Sequence, residues 1–266
     1  MKTTMYVMTH KKFQCPKMEG YLQLHVGAQG KNDIGYKADN TGDNISIKNP
    51  NYCELTGLYW VWKNDQSSET VGISHYRRYF TKALISRKEK HYINQNDIEK
   101  NLEKYDVIVP KKEYYRETAF KQYCNNSGFE KDLNIVKKII EKDYKEYIEA
   151  FDNVMNQNKM YQFNMLICSK EKYNEFCKWL FDILFQLEKQ VDLSKGYNDY
   201  QKRIYGFLGE RLLNIWINKN KLKIKEMRVI NTEQKWAERL KISLRRVKNI
   251  MIYEFSKGKN NNGDNN

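Results

Sequence analysis

Residues 71–80, Val71-Gly72-Ile73-Ser74-His75-Tyr76-Arg77-Arg78-Tyr79-Phe80, decide how the rest of the chain is read. The run opens with apolar, strand-forming residues. It then changes abruptly to His-Tyr-Arg-Arg. Two adjacent guanidiniums, a histidine and aromatics at a strand end are costly to bury without a partner. A doubly charged anion would supply one, because arginine donates in a planar fork that fits phosphate. Ligands of open α/β sheets bind outside the carboxyl ends of strands, and this cluster sits at such an end. The alternative is a strand followed by a basic, solvated loop. His75, Arg77 and Arg78, with Tyr76 among them, are the candidate anion-handling residues.

Working outward, Met5–Thr9, Leu22–Val26, Val107–Val109 and Phe163–Cys168 read as further strands of the same sheet, with a last strand from Lys223 to Ile230. Thr9 and His25 stand at strand ends. Gly27-Ala28-Gln29-Gly30 follows the second strand, where glycine lets backbone amides approach a phosphate. Its spacing fits neither a P-loop nor a dinucleotide fingerprint, so a plain turn is the competing reading. Residues 39–49 are polar and turn-rich and include Asp43 and Asn44. Asn49-Pro50 then reads as N-cap and first position of a helix over Asn51–Lys63. Leu55, Leu58, Tyr59 and Trp62 mark one face, and Cys53, Gly57, Trp60 and Val61 make the rest apolar. Glu54 is a polar exception that either complements the helix N-terminus or holds one of the arginines.

The second half reads as helical with one strand. Residues 81–105 suggest a loop and a basic helix, and 111–128 a mobile, lysine-rich loop. Leu133–Met155 and Tyr205–Ile217 have helical periodicity, and Ser169 can cap a long amphipathic helix. Asn164 is an amide inside an apolar strand, so it needs a hydrogen-bond partner, from a ligand or from backbone. Residues 232–256 form a basic amphipathic helix, and 257–266 an Asn/Gly-rich tail expected to be disordered.

With 266 residues the chain can bury a full core, as one α/β domain with a helical appendage. Mean hydropathy is negative and no run of 18 apolar residues occurs, so a soluble protein is expected. The N-terminus has no apolar signal core. Five widely spaced cysteines without metal spacing read as free thiols of a reducing cytosol. The net charge of +14 calls for an anionic partner: nucleic acid, anionic lipid or a phosphorylated ligand.

Three blocks together resemble a known family. They are residues 39–64, containing Asn51-Tyr52-Cys53-Glu54-Leu55-Thr56; the His75-Tyr76-Arg77-Arg78-Tyr79-Phe80 block; and Tyr205-Gly206-Phe207-Leu208-Gly209-Glu210-Arg211. They are similar to a domain-of-unknown-function family of capsular, exopolysaccharide and O-antigen gene clusters, grouped with GT-A-type glycosyltransferases. The resemblance runs over about 5–230. It implies a GT-A-like α/β fold with a mixed, mainly parallel sheet over 1–231, and sugar transfer from a nucleotide-diphosphate donor such as a UDP-sugar to a growing glycan. The reading adopted is a cytosolic transferase at the inner membrane face acting on a lipid-linked acceptor, and the basic helix reads either as packed on the domain or as an interfacial helix drawn to anionic lipid.

GT-A enzymes usually place Asp-x-Asp at a strand end to hold a divalent metal on the diphosphate. This chain has no Asp-x-Asp, and the matching strand end carries His75-Tyr76-Arg77-Arg78. Fixed cations can stabilise a departing diphosphate as a metal does, so metal-independent transfer with no required cofactor is expected. A displaced metal site using Asp39 or Asp43 is the minor alternative. An inverting transferase also needs a base. Glu210, Asp43 and Glu54 are the candidates, and Glu210 is favoured by its place in a late helix, against a plain solvated surface glutamate. Thr9, His25, Gly27, Asp43, Asn44, Glu54, Tyr76 and Asn164 are the candidate substrate contacts. The competing classes are a nucleic-acid-binding protein, suggested by charge and 20 tyrosines, and a phosphoesterase using His75, for which no second histidine is paired nearby. The spread of basic residues over helix surfaces and the absence of a nucleic-acid motif disfavour the former.

Overall fold

In the computed structural model, which describes residues 2–84, 86 and 88–261 (backbone only for Trp236 and 256–261), the run around Ile73 becomes a fully buried strand. Among the described residues the strands are β1 Thr3–Thr9, β2 Tyr21–His25, β3 Lys37–Ala38, β4 Thr70–His75, β5 Arg78–Thr81, β6 Val107–Pro110, β7 Glu113–Tyr114, β8 Lys159–Met160, β9 Ile167–Ser169 and β10 Ile224–Asn231. The helices are α1 Asn49–Tyr52, α2 Leu55–Asn64, α3 Gln95–Leu102, α4 Ala119–Asn126, α5 Glu130–Asp143, α6 Ile148–Asn156, α7 Lys170–Glu188, α8 Ile204–Lys219 and α9 Trp236–Asn261.

All strands except β7 and β8, which pair with each other, join one sheet. β4 lies parallel to β1, Met8 opposite His75, so the ends of these two strands are neighbours. Its other edge divides. Thr70–Gly72 pairs antiparallel with β9, and His75 pairs with Arg78 across the tight Tyr76-Arg77 turn. β9 leads to β6, β6 to β10 and β10 back to β5, so these strands close around Phe80, Ile108, Met165, Ile167 and Met227. Gly72 stands where β4 divides. A Cβ there would fall on the Met5 sulfur and lie 3.2 Å from Ile167 Cγ1. Gly72→Ala should therefore destabilise the fold by about 1–3 kcal/mol through overpacking, read as a lowered midpoint in urea. An unchanged midpoint would show that the Met5 side chain swings aside freely.

The sheet is mixed, as expected, but not mainly parallel. β1–β2, β2–β3, β1–β4 and β6–β10 are parallel, and the other four pairings are antiparallel. Among the parallel strands β1 to β4, helices intervene only between β3 and β4; the antiparallel pairings come from the hairpin at Arg77, the late return of β9 and the pairing of β10 with β5. The strand expected at Phe163–Cys168 shrinks to Ile167–Ser169, because Phe163 and Asn164 adopt left-handed φ of 77° and 49°. The loop expected at 111–128 contains β7 and α4, and the helix expected over 133–155 breaks at Tyr144 into α5 and α6. Ser169 does cap α7, accepting from the Lys172 amide at 3.3 Å. All five cysteines are free thiols.

The chain after β10 packs back on the domain. In α9, Arg246 Nε donates to Glu113 at 3.2 Å and Asn249 donates to the Tyr114 carbonyl at 2.6 Å. Tyr253 meets Tyr114 edge-on at 5.2 Å. The helix continues to Asn261, into the stretch expected to be disordered; residues 262–266 lie outside the described residues. No helix among the described residues is long and apolar enough to cross a membrane.

Candidate active site

The site begins at a break in a helix that the sequence reads as continuous. Cys53 takes φ 53°, which ends α1 and lets α2 start at Leu55. Asn49 secures the break by donating its amide to the Cys53 carbonyl at 2.7 Å and to Thr56 Oγ1 at 3.1 Å. Asn49 is thus the first residue of α1, not the expected cap. Glu54 precedes α2 without capping it. Its carboxylate accepts from Asn164 Nδ2 at 2.8 Å, and the same amide nitrogen reaches the Gly206 carbonyl at 3.1 Å. Asn164 is therefore not a strand residue but the lock between Glu54 and α8.

The left-handed pair Phe163-Asn164 organises what surrounds it. The Phe163 amide donates to Glu210 Oε1 at 2.8 Å, and the Phe163 carbonyl lies 2.7 Å from His75 Nε2. A carbonyl can only accept, so Nε2 carries the proton. Gly209 gives the approach room: a Cβ there would stand 2.9 Å from Leu55 Cδ1 and 3.1 Å from Asn164 Oδ1. Cys53, Phe163 and Asn164 are three of the four non-glycine residues with positive φ among the described residues. Each costs on the order of 1–3 kcal/mol, and such strain gathers at functional sites.

Glu210 is half-buried, not a solvated surface glutamate. Burial pushes its carboxyl up to about 7; Arg211, the Phe163 amide and Arg78 oppose that rise and Glu54 adds to it. Burial lowers the Arg78 guanidinium, Arg77 lowers it further, and Glu54 and Glu210 work against both. Arg78 lies over the Phe163 ring, 4.4 Å from its centroid, with no carboxylate within 4 Å among the described residues. Burial lowers His75 too, so its imidazole is neutral at neutral pH. The arrangement offers a base near neutrality, a cation without a fixed counter-ion and a neutral, oriented imidazole.

Arg77 faces elsewhere. Its guanidinium reaches Glu233 at 3.4 Å and stands 5.4 Å from the Tyr76 ring centroid. Lys11, two residues past β1, lies 4.7 Å over the same ring and 3.1 Å from Glu233. Phe13, Tyr76, Tyr79, Tyr92 and Glu233 line an adjoining cavity of about 330 Å³. The two arginines expected to act as one fork are thus divided between two neighbouring sub-sites, because adjacent residues at a hairpin turn point apart.

Most of the remaining expected contacts are bonded within the fold. Thr9 is buried, its hydroxyl bonded to the Lys11 carbonyl at 2.6 Å. Asp39 accepts from the Gly27 and Ala28 amides at 2.8 and 3.0 Å and from Ser46, which fixes the turn after β2. Those amides are therefore engaged. Gly27 is required because a Cβ would fall on the Asn49 side chain. His25 is buried beside this turn. Asp43 and Asn44 are not brought to the site. Asp43 binds Tyr59 at 3.0 Å and faces Lys63 near the far end of α2, about 15 Å along the helix from Glu54, and Asn44 bonds the Gly42 carbonyl. With Asp39 saturated and Asp43 remote, these residues do not fit a divalent ion at the strand ends.

The sequence reading missed Lys11, Phe163, Glu233 and Arg203, whose Nε donates to Cys53 Sγ at 3.2 Å. A lysine just past the first strand is a signal that could have been used; the other three depend on long-range packing.

Comparison with known proteins bears on this geometry. The description "Domain of unknown function (DUF4422)" matches residues 4–221. The chain belongs to the DUF4422 family. All the site residues just described except Glu233 lie within the DUF4422 match. A solved structure, the WbbM bifunctional glycosyltransferase in its apo form, superposes with a TM-score of 0.81 at 32% identity. The match covers 88% of this chain and 46% of the WbbM chain, so this DUF4422 protein spans about half the length of that neighbour. No curated protein matches the sequence.

Proposed function

We propose that this protein is a glycosyltransferase that moves a sugar from a nucleotide-diphosphate donor to a glycan hydroxyl, with Glu210 as the base. The observation that carries the reading is the Glu210 carboxyl, raised to about 7 beside Arg78 and locked by the Phe163 amide. A base that titrates near the working pH is what deprotonation of an acceptor hydroxyl requires. The WbbM likeness and the three sequence blocks support the same class. Arg78 stabilises charge developing on the departing diphosphate. His75 and Asn164 hold the strained turn that presents Glu210. The donor lies across the ends of β1 and β4, its diphosphate between the Arg77 and Arg78 sub-sites, without a required metal. A UDP-sugar donor and a capsular or O-antigen acceptor follow from the family resemblance. The test is thermal stabilisation by a panel of nucleotide sugars: one donor class should raise the melting midpoint, and a flat panel argues against transfer from any of them.

The acceptor is taken to be lipid-linked, at the inner face of the cell membrane. Leu240, Leu244, Val247, Met251 and Phe255 are exposed at three- and four-residue spacing along α9, away from its docked face. Lys241, Arg245 and Lys248 are exposed on the adjoining side. An apolar stripe beside a stripe of one sign suits an anionic lipid surface better than a second copy, which would bring its own cations. Leu244→Glu with Met251→Glu should abolish co-sedimentation with phosphatidylglycerol vesicles at low salt. Undiminished sedimentation removes the helix from membrane binding, and a dimer that dissociates in the variant makes the stripe a self-interface.

A further inference from the structure

We infer that Lys11 and Arg77 form a built diphosphate site and that the Glu233 carboxylate occupies it until the donor arrives. The inference rests on the transferase reading above. Lys11 comes from the segment after β1 and Arg77 from the turn after β4, so their cations meet at the neighbouring carboxyl ends of two parallel strands. Glu233 bridges them, one oxygen 3.1 Å from Lys11 Nζ and the other 3.4 Å from Arg77. One carboxylate spanning an ammonium and a guanidinium copies the oxygen spacing of a phosphate group.

The position of Glu233 is fixed by backbone, not by chance. Asn231 pairs with Arg78 in the ladder, the Thr232 amide donates to the Arg77 carbonyl at 2.9 Å, and the Glu233 amide donates to Asn231 Oδ1 at 3.0 Å. The contact is nevertheless easy to break, since all three side chains are about two-fifths to one-half exposed. An exposed pair contributes little against water and salt. The adjoining cavity of about 330 Å³, lined by Phe13, Tyr76, Tyr79 and Tyr92, accepts a flat ring such as a nucleobase beside the displaced carboxylate. Among the described residues Arg77 Nε is buried without a hydrogen-bond partner, so one donor of the fork is still unused.

The test is calorimetric titration of the full chain with UDP and with inorganic pyrophosphate at low ionic strength. Glu233→Gln keeps the shape and removes the competing charge. It should tighten both ligands about three- to tenfold, the range expected for releasing two exposed pairs. Lys11→Ala should weaken both by a similar factor. Glu19→Gln, beside the opposite ends of the strands, removes one negative charge elsewhere and should change neither. If wild type binds UDP and Glu233→Gln matches Glu19→Gln, the bridge is incidental and the inference fails while the transferase reading stands. If neither UDP nor pyrophosphate binds any of these proteins, this inference fails, and the transferase reading is decided separately by the nucleotide-sugar panel.

Discussion

Glu210→Gln should lower the transfer rate about 100- to 10,000-fold while leaving donor affinity nearly unchanged. Glutamine still accepts from the Phe163 amide, so the strained turn and the room made by Gly209 are kept. What is lost is the ability to take a proton. Because burial pushes the wild-type carboxyl up to about 7, the wild-type rate should climb with pH and level off above that value. A loss below threefold, or a flat profile between pH 6 and 8, would remove Glu210 from the chemistry. The same shift sets a stability signature. Folded Glu210 binds its proton more tightly than the unfolded chain does, so folding loses stability as pH rises from the usual carboxyl range through about 7. Glutamine has no such loss. The variant should melt several degrees above wild type at pH 8 and level with it near pH 4.

Arg78→Ala should cost about 2–4 kcal/mol in the transition state, a rate loss of roughly 30- to 1,000-fold. Arg78 stacks on Phe163 and feels both Glu54 and Glu210, so its charge is held in a partly desolvated place where it counts. Lysine should restore little, because the planar stack and the fork are both lost. Arg77→Ala should act mainly on KM, since that side chain is more exposed and already shares Glu233 with Lys11. Turnover should persist in excess chelator. Loss of activity in chelator with recovery on manganese would contradict the role given to the arginines, and equal, small effects of both alanines would make the cluster structural.

The parts of the fold written in local pattern were legible. β1, β4 and β6 follow from short apolar runs, β2 from its alternation, and α7 from its serine cap and spacing. The break at Cys53 was not, because Tyr52 before it and Leu55 and Tyr59 after it continue the helical spacing. Its causes are the Asn49 side chain and the close passage of α8 at Gly206, where a Cβ would stand 3.2 Å from Cys53 Sγ. Asn164 was misplaced for the same reason. Met165, Leu166 and Ile167 look like a strand, while the turn before them is held by Glu210 and Glu54, 47 and 110 positions away in sequence. The place of the His75–Arg78 cluster at the carboxyl end of a buried strand was legible from residue pattern alone. That its two arginines point into different sub-sites was not, since only the hairpin geometry separates them. Asp43 looked like a ligand because acidic turns often are; its partners Tyr59 and Lys63 lie on α2, and periodicity says nothing about which loop folds against which helix end.

Turnover by the full chain is the most direct test of sugar transfer with Glu210 as base. Each nucleotide sugar of a panel is incubated with a phosphopolyprenyl-linked glycan acceptor, and release of nucleoside diphosphate is followed together with mass gain of the acceptor. One donor should give saturable release matched mole for mole by a single added sugar, reduced at least 100-fold in Glu210→Gln. Release without acceptor gain, or equal turnover by wild type and Glu210→Gln, would contradict a sugar transferase built on this base.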